Sequence, residues 1–318
     1  MEDDNIQAKS RTRTLTVIAK PFLNSAWILV GCLFAMHSSA LTRYESSIEE
    51  SKWSLSGDIF ACTLAHPIPH FGTGEFTKEA GEPMKFVLHP ENEKIGPGQV
   101  YIISQAPSWI PGISPETLEV MPYPGYGLTV EVGGQVAEQM LTSLDRGRHP
   151  VVAGSAWENG RESVEVALSN INFNPAYDEF RRCMASLLPV NFEQIARTAA
   201  LFPNNGTELT DRIRRRLDLV AMYVEADPTI EYIYIDGHTD IIGSRRDNRE
   251  LSKLRAERVT EYLLQKGIAP EKIVSRYHGE RYPAADNRSI DGRERNRRVT
   301  IRLERTSNNA QSLSEPSP

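Results

Sequence analysis

The sequence is poor in the residues that most often bind metal ions. Its 318 residues include three cysteines and seven histidines, and it contains neither a CxxC nor an HExxH motif. Thiolate zinc sites and metalloprotease helices need such spacings. A P-loop, a dinucleotide fingerprint and a GxSxG nucleophile motif are also missing. We therefore expect no catalytic residue, metal or cofactor, and we interpret His238 as a packed turn residue.

Positive charge is not in excess either. The net charge is −6 and the sequence pI is about 5.7, which argues against nucleic acid as the main partner. A basic run at residues 212–216 falls within a predicted helix that carries an apolar stripe. We therefore interpret this run as the solvated face of that helix.

The apolar stretch at residues 21–36 is too short to be a convincing membrane span, because a spanning helix needs about 20 apolar residues. Small residues follow it, ending at Ala40. This order is typical of a signal peptide, and we expect residues 1–40 to be removed before Leu41. Two alternatives stay open: a lipoprotein acylated at Cys32, and a retained membrane anchor.

The thiols of the mature chain are then easily counted. Once Cys32 is removed or acylated, Cys62 and Cys183 remain. If the chain is exported to an oxidising compartment, these two cysteines are a candidate disulfide. Two buried free thiols are the alternative.

Residues 41–186 are predicted to be an all-β domain with one or two short helices, because short apolar runs alternate with turn signals. The predicted strands are residues 53–61, 83–88, 99–104, 128–132 and 163–168. The predicted helices are residues 135–144 and 175–184. We interpret the proline- and glycine-rich segments 66–70, 96–98 and 121–125 as turns.

Residues 187–305 have a different pattern, in which strands and helices alternate. The predicted strands are residues 195–202, 230–235, 273–277 and 298–303, and the predicted helices are residues 208–226 and 249–266. This order predicts an α/β sandwich with helices on one face of a mixed sheet. The polar tail at residues 306–318 is predicted to be disordered.

The segment at residues 232–259 brings an acid and an arginine to face each other. An apolar strand leads into a turn that holds Asp240, and Asn248, Ser252 and Arg255 then share one face of a helix. The ammonium and carboxylate of an amino acid would complement Asp240 and Arg255, since arginine can bind a carboxylate bidentately. We interpret the segment as a binding site, not a catalytic one.

The same segment resembles the signature of the OmpA-like peptidoglycan-binding domain, over roughly residues 187–304. The shared pattern is GHTDxxGxxxxNxxLSxxRAxxV, followed by NRRV at residues 296–299. The resemblance implies that Asp240 and Arg255 hold diaminopimelate of the cell-wall stem peptide, in a site that includes Thr239 and Asn248. Replacing Asp240 or Arg255 with alanine is expected to abolish wall binding and leave the fold intact.

The second block of the signature adds two residues to the candidate site. The resemblance places Asn296 and Arg297 beside the pocket for the wall peptide. A solvated surface turn is the alternative interpretation of the basic run at residues 293–298.

The order of the two halves resembles the MotY family of sodium-driven flagellar motor proteins, with a β-rich domain before the wall-binding half and a cysteine near each end of that domain. The resemblance implies a periplasmic protein at the flagellar basal body. Its N-terminal domain would contact the basal body and a MotX-like protein, and peptidoglycan binding would anchor the stator complex. No motif in residues 41–186 carries these associations by itself. A general OmpA- or Pal-like tether between outer membrane and cell wall is the alternative.

Overall fold

The computed structural model describes residues 41–107, 112–125, 129–157 and 162–306. The predicted signal peptide with Cys32, the first residue of the strand predicted at 128–132, and the tail after residue 306 lie outside the described residues. Within the described ranges, no helix has the length and apolar character needed to span a membrane.

The described part of residues 41–186 is β-rich and contains ten strands and two helices. The strands are β1 (Leu41–Tyr44), β2 (Ser54–Gly57), β3 (Ala61–Ile68), β4 (Gly72–Glu79), β5 (Met84–Pro90), β6 (Gly98–Gln105), β7 (Glu116–Tyr123), β8 (Val130–Gly133), β9 (His149–Ser155) and β10 (Ser163–Ala167). The helices are α1 (Gly134–Asp145) and α2 (Phe173–Ser186). The strands form two five-stranded sheets, ordered β1-β10-β9-β6-β7 and β2-β3-β4-β5-β8.

A single hydrophobic core draws on both sheets and both helices. It includes Phe76 from β4, Val152 from β9, Met140 from α1 and Phe180 from α2, all almost fully buried. The helices have 12 and 14 residues and fill part of this core. An all-β description therefore understates their share, although both helices lie where the sequence predicts them.

The strand predicted at residues 53–61 is in fact interrupted. β2 ends at Gly57 and β3 begins at Ala61. The side chain of Asp58 closes the turn between them, because its Oδ1 accepts the N–H groups of Phe60 at 2.7 Å and Ala61 at 3.1 Å. Such a side-chain-closed turn competes with a continuous strand.

Two proline-containing segments that we interpreted as turns belong largely to strands. β3 includes Pro67, which lies beyond Ala65, the last β3 residue paired with β2. β7 includes Pro122 and is an edge strand of its sheet. Proline removes a donor for strand pairing, and this loss is tolerated at sheet edges and where a neighbouring strand has ended. The prediction of turns at these positions was wrong for that reason.

Cys62 and Cys183 are joined by a disulfide bond. Cys62 lies in β3 and Cys183 in α2, and α2 packs against both β2 and β3. The bond therefore links a helix near the end of the N-terminal half to a strand near its start.

Replacing both cysteines with alanine is expected to lower the free energy of unfolding by about 4–5 kcal/mol in the chain-entropy model. The bond joins positions 121 residues apart, so its loss frees a long loop in the unfolded chain. Urea unfolding of the two proteins measures the difference, which should disappear in dithiothreitol. Two alkylatable thiols in unreduced protein would contradict the assignment.

The second half of the chain forms a four-stranded sheet with helices against it. Its strands are β11 (Arg197–Leu201), β12 (Ile230–His238), β13 (Ile273–Gly279) and β14 (Arg298–Arg305). Its helices are α3 (Phe192–Ile195), α4 (Asp211–Ala226), α5 (Arg245–Gln265) and α6 (Ile290–Asn296), with a 3-10 turn at Pro270–Lys272. The sheet order is β11-β14-β12-β13, in which β12 and β13 are parallel and the other pairs are antiparallel.

The strands and two long helices appear in the predicted order, and the sheet is mixed as predicted. The sequence did not reveal the short helices α3 and α6. Helix α5 begins at Arg245, four residues before its predicted start. Ser244 caps it, because the Ser244 hydroxyl accepts the N–H of Asp247 at 3.1 Å and the Asp247 carboxylate accepts the hydroxyl proton at 2.7 Å.

An aromatic contact joins the N-terminal half to the hydrophobic core of the second half, which includes Leu217, Tyr223 and Ile233. The Phe60 ring lies 5.6 Å from the ring of Tyr223 on α4. The N–H of Leu188 donates to the carbonyl of Ile59 at 2.9 Å. The chain is thus held on both sides of the predicted boundary between residues 186 and 187, and that boundary remains a prediction.

Candidate binding site

The candidate site is built on the close approach of α5 to the end of β12. Gly237 makes this approach possible, because a side chain there would collide with the carbonyl oxygen of Ser252. The turn that follows needs a second glycine, Gly243, whose φ is 107°. Asp240 lies in this turn and is 5% exposed.

The three α5 residues predicted to share a face are all buried, and each has a defined task. Ser252 is fully buried and its hydroxyl accepts the N–H of Gly279 at 3.0 Å. Asn248 is 4% exposed and donates through Nδ2 to Glu280 at 2.7 Å. These bonds fix the segment after β13 against the start of α5.

Arg255, the third of these residues, has no exposed surface. Its Nε donates to the carbonyl of Gly206 at 2.8 Å, Nη2 to that of Pro203 at 3.0 Å and Nη1 to that of His238 at 3.3 Å. The guanidinium carbon also lies 5.3 Å from the centre of the Phe202 ring. Three of its five N–H groups are used, so one on each terminal nitrogen is left for a ligand.

Asp240 forms its ion pair with Arg297. The distance from Asp240 Oδ2 to Arg297 Nη1 is 3.0 Å, and Asp240 Oδ1 accepts the N–H of Ile242 at 3.0 Å. The sequence led us to expect Asp240 opposite Arg255, and these two groups interact only electrostatically. Burial lowers the pKa of Arg255 to about 10, Arg297 adds to this effect and Asp240 opposes it. Arg255 therefore remains charged at neutral pH.

Asn296 holds the loop at residues 284–287 in place through side-chain hydrogen bonds. It is fully buried, and its Oδ1 accepts the N–H groups of Ala284 and Ala285 at 2.7 and 3.0 Å. Its Nδ2 donates to the Ala285 carbonyl and to Asn287 Oδ1, both at 2.8 Å. Asn287 Oδ1 also accepts the N–H of Ile241 at 3.3 Å. With both ends of its amide in use, Asn296 positions the loop that borders the turn.

Thr239 contributes a hydroxyl group without a protein partner. It is 3% exposed, and its backbone N–H donates to the carbonyl of Gly279 at 2.9 Å. Its Oγ1 is buried and finds no hydrogen-bond partner among the described residues. A buried hydroxyl in this state costs free energy, so it is a natural contact for a ligand next to Asp240.

His238 lies at the end of β12 and is 6% exposed. Its ring stacks on that of His278 with centroids 5.0 Å apart, and its Nδ1 is 3.3 Å from the carbonyl of Arg281. Burial, helped by the nearby Arg298 cation, lowers the pKa of His238 to about 4. The imidazole is therefore neutral at physiological pH, consistent with a packed turn residue.

The sequence did not reveal that the turn at residues 203–206 binds the guanidinium group of Arg255. The sequence Asn205-Gly206-Thr207 signals a turn, and Asn205 indeed has a φ of 52°. Nothing local to that turn indicates that the carbonyls of Pro203 and Gly206 bind an arginine about 50 residues later.

Comparison with known proteins covers both halves of the chain. Residues 44–189 match the family model described as the MotY N-terminal domain, and residues 201–297 match the OmpA family. Sodium-type flagellar protein MotY of Vibrio parahaemolyticus is 32% identical over 271 residues, which cover 83% of this chain and 91% of that protein. The chain belongs to the MotY family.

Other relatives match about a third of this MotY-family chain. Peptidoglycan-binding protein ArfA of Mycobacterium tuberculosis is 37% identical over 100 residues, covering 31% of this chain and 30% of that protein. The solved C-terminal domain of Helicobacter pylori MotB is 26% identical, covers 35% of this chain and 87% of that one, and gives a TM-score of 0.33. Membership in the MotY family rests on the relative that spans both halves.

The burial of Arg255 changes the expectation that its replacement with alanine leaves the fold intact. Arg255→Ala should lower the free energy of unfolding by about 3–5 kcal/mol, because it leaves three carbonyl groups without their donor and opens a cavity. Urea unfolding tests this prediction. The control is Arg258→Ala on the same helix, whose side chain is 61% exposed and should matter by about 0.5 kcal/mol or less. Equal effects of the two variants would contradict a structural role for Arg255.

Proposed function

We propose that this chain is a periplasmic, non-enzymatic component of the flagellar motor that binds peptidoglycan noncovalently. The half at residues 187–305 binds the diaminopimelate of the stem peptide, and the half at residues 41–186 docks to the basal body and a MotX-like protein. The chain thereby helps to place the stator complex and anchor it to the wall.

The wall-binding proposal rests on polar groups near Asp240 that have hydrogen-bonding capacity left for a ligand. The buried Arg255 has two N–H groups left for a carboxylate, and the Thr239 hydroxyl has no partner among the described residues. Asp240 offers a negative charge for an ammonium group. A zwitterionic amino-acid end uses all three groups, whereas a simple anion or cation uses only part of them.

Binding of an ammonium group at Asp240 requires Arg297 to give up its ion pair. Arg297 has further partners, because its Nη2 is 3.7 Å from Glu294 and its Nε donates to the carbonyl of Phe202 at 3.3 Å. It can therefore release Asp240 without losing all of its contacts. We assign Arg297 the role of a counter-ion that the ligand replaces.

The assignment of motor docking to the N-terminal half rests on how the family matches divide. The general OmpA family model matches residues 201–297. The MotY-specific model matches residues 44–189. The property that separates this family from general wall tethers therefore belongs to the N-terminal half.

Asp240→Asn and Arg255→Lys should each weaken co-sedimentation with diaminopimelate-type peptidoglycan by about 2 kcal/mol or more. The first removes the negative charge opposite the ammonium group, and the second replaces the forked guanidinium with a single ammonium group. Both keep a polar side chain at the position and so damage the fold less than alanine does. Thermal unfolding measured in parallel separates loss of binding from loss of structure.

The control for Asp240→Asn is Glu250→Gln, the same carboxylate-to-amide change at an exposed position of α5. It should pellet with the wall as the wild type does. If folded Asp240→Asn and Arg255→Lys also pelleted like the wild type, the assigned site would be wrong.

Chromosomal Asp240→Asn should leave flagellar filaments assembled and protein levels unchanged but reduce swimming, because the stator would lose its wall anchor. Deletion of the gene should have a stronger effect, since docking is lost as well. Soft-agar swimming and electron microscopy of filaments provide the measurements. Normal swimming of the deletion strain would instead support the general wall tether.

A further inference from the structure

A second polar groove lies beside the candidate site, between the first turns of α5 and the segment that follows β13. Its lining includes Arg245, Arg249, Tyr277, Glu280, Arg281 and Tyr282. None of these residues belongs to the signature that identifies the wall site.

Two hydrogen bonds link residues that line the groove to residues of the wall site. Glu280, in its floor, accepts from Nδ2 of Asn248 at 2.7 Å. Gly279, the preceding floor residue, accepts the backbone N–H of Thr239 at 2.9 Å. The groove therefore lies next to Thr239 and Asn248, within reach of the residue that neighbours a ligand bound at Asp240.

The groove carries uncompensated positive charge. Arg245 lies 3.5 Å from Glu280, which is the one acid lining the groove. Arg249 stacks on the Tyr277 ring at 5.3 Å. In the described ranges of the chain, no carboxylate forms an ion pair with Arg249 or Arg281. This local excess is notable in a chain whose net charge is −6.

Tyr282 borders the groove in an unfavourable backbone conformation. Its φ is 61°, in the left-handed region that a bulky side chain rarely adopts, and its side chain is 68% exposed. Its carbonyl accepts Nη2 of Arg298 at 3.1 Å, and its ring meets that of His278 edge-on at 5.5 Å. Strain held in place by such contacts is typical of ligand-binding segments.

We propose that this groove is a second subsite for the stem peptide, in which Arg249 and Arg281 bind a free carboxylate on the residue next to diaminopimelate. The inference rests on the function proposed above. In the wall peptide that neighbour is a glutamate linked through its γ-carboxyl group, so its α-carboxylate stays free unless it is amidated. Arginine guanidinium groups suit such a planar anion.

The test compares two tripeptides that differ only at this carboxylate. One is L-Ala-γ-D-Glu-diaminopimelate and the other carries the α-amide of D-glutamate. By titration calorimetry, the full-length protein should bind the acid form about five- to tenfold more tightly, as expected for an exposed charged hydrogen bond. The double variant Arg249→Gln/Arg281→Gln should bind both peptides as the wild type binds the amide.

The matched control is Arg246→Gln, which removes the same charge from an exposed neighbour on α5 that does not line the groove. It should keep the preference for the acid form. Equal affinity of the wild type for the two peptides, or loss of the preference in Arg246→Gln, would overturn the subsite. Failure of the wild type to bind either peptide would overturn the proposed wall site and this subsite with it.

Discussion

A guanidinium group with no exposed surface organises the C-terminal half of this protein. Removing a charge from water costs several kcal/mol unless hydrogen bonds replace its hydration. Arg255 on α5 meets this requirement with carbonyl groups from the turn at residues 203–206 and from the end of β12. Three segments that are distant in sequence are thereby fixed around one charge. Holding Arg255 in place in this way reduces the entropy cost of any contact that it makes with a ligand.

The same sheet that carries the site also connects it to the N-terminal half. β12 ends two residues before Asp240, and its neighbour β14 ends at Arg305. Arg305 donates through Nη2 to the hydroxyl of Tyr223 at 2.7 Å, and the ring of Tyr223 lies 5.6 Å from that of Phe60 in the N-terminal half. Within the proposed function, a pull on the wall site passes along strand hydrogen bonds to the aromatic contact that joins the two halves.

How far the sequence predicts this arrangement depends on the distance between the interacting residues. The strand, turn and helix around Asp240 are visible because their periodicity is local, and the signature identifies Arg255 for the same reason. The pairing of Asp240 with Arg297 spans 57 residues, and no local pattern encodes it. The prolines in β3 and β7 led to a wrong prediction of turns. Proline is tolerated in strands at sheet edges, and the edges are known only once the sheet order is known.

The pairing of Asp240 with Arg297 also limits the strength of any single binding event. A ligand's ammonium group gains the difference between its own interaction with Asp240 and the one that Arg297 gives up, so much of the electrostatic gain cancels. The net affinity then depends on Arg255, whose remaining N–H groups have no competing partner to release, and on the hydroxyl of Thr239. Within the proposed function, weak individual contacts suit an anchor on a polymer that repeats its ligand many times, because linked sites that bind together hold more firmly than one site alone.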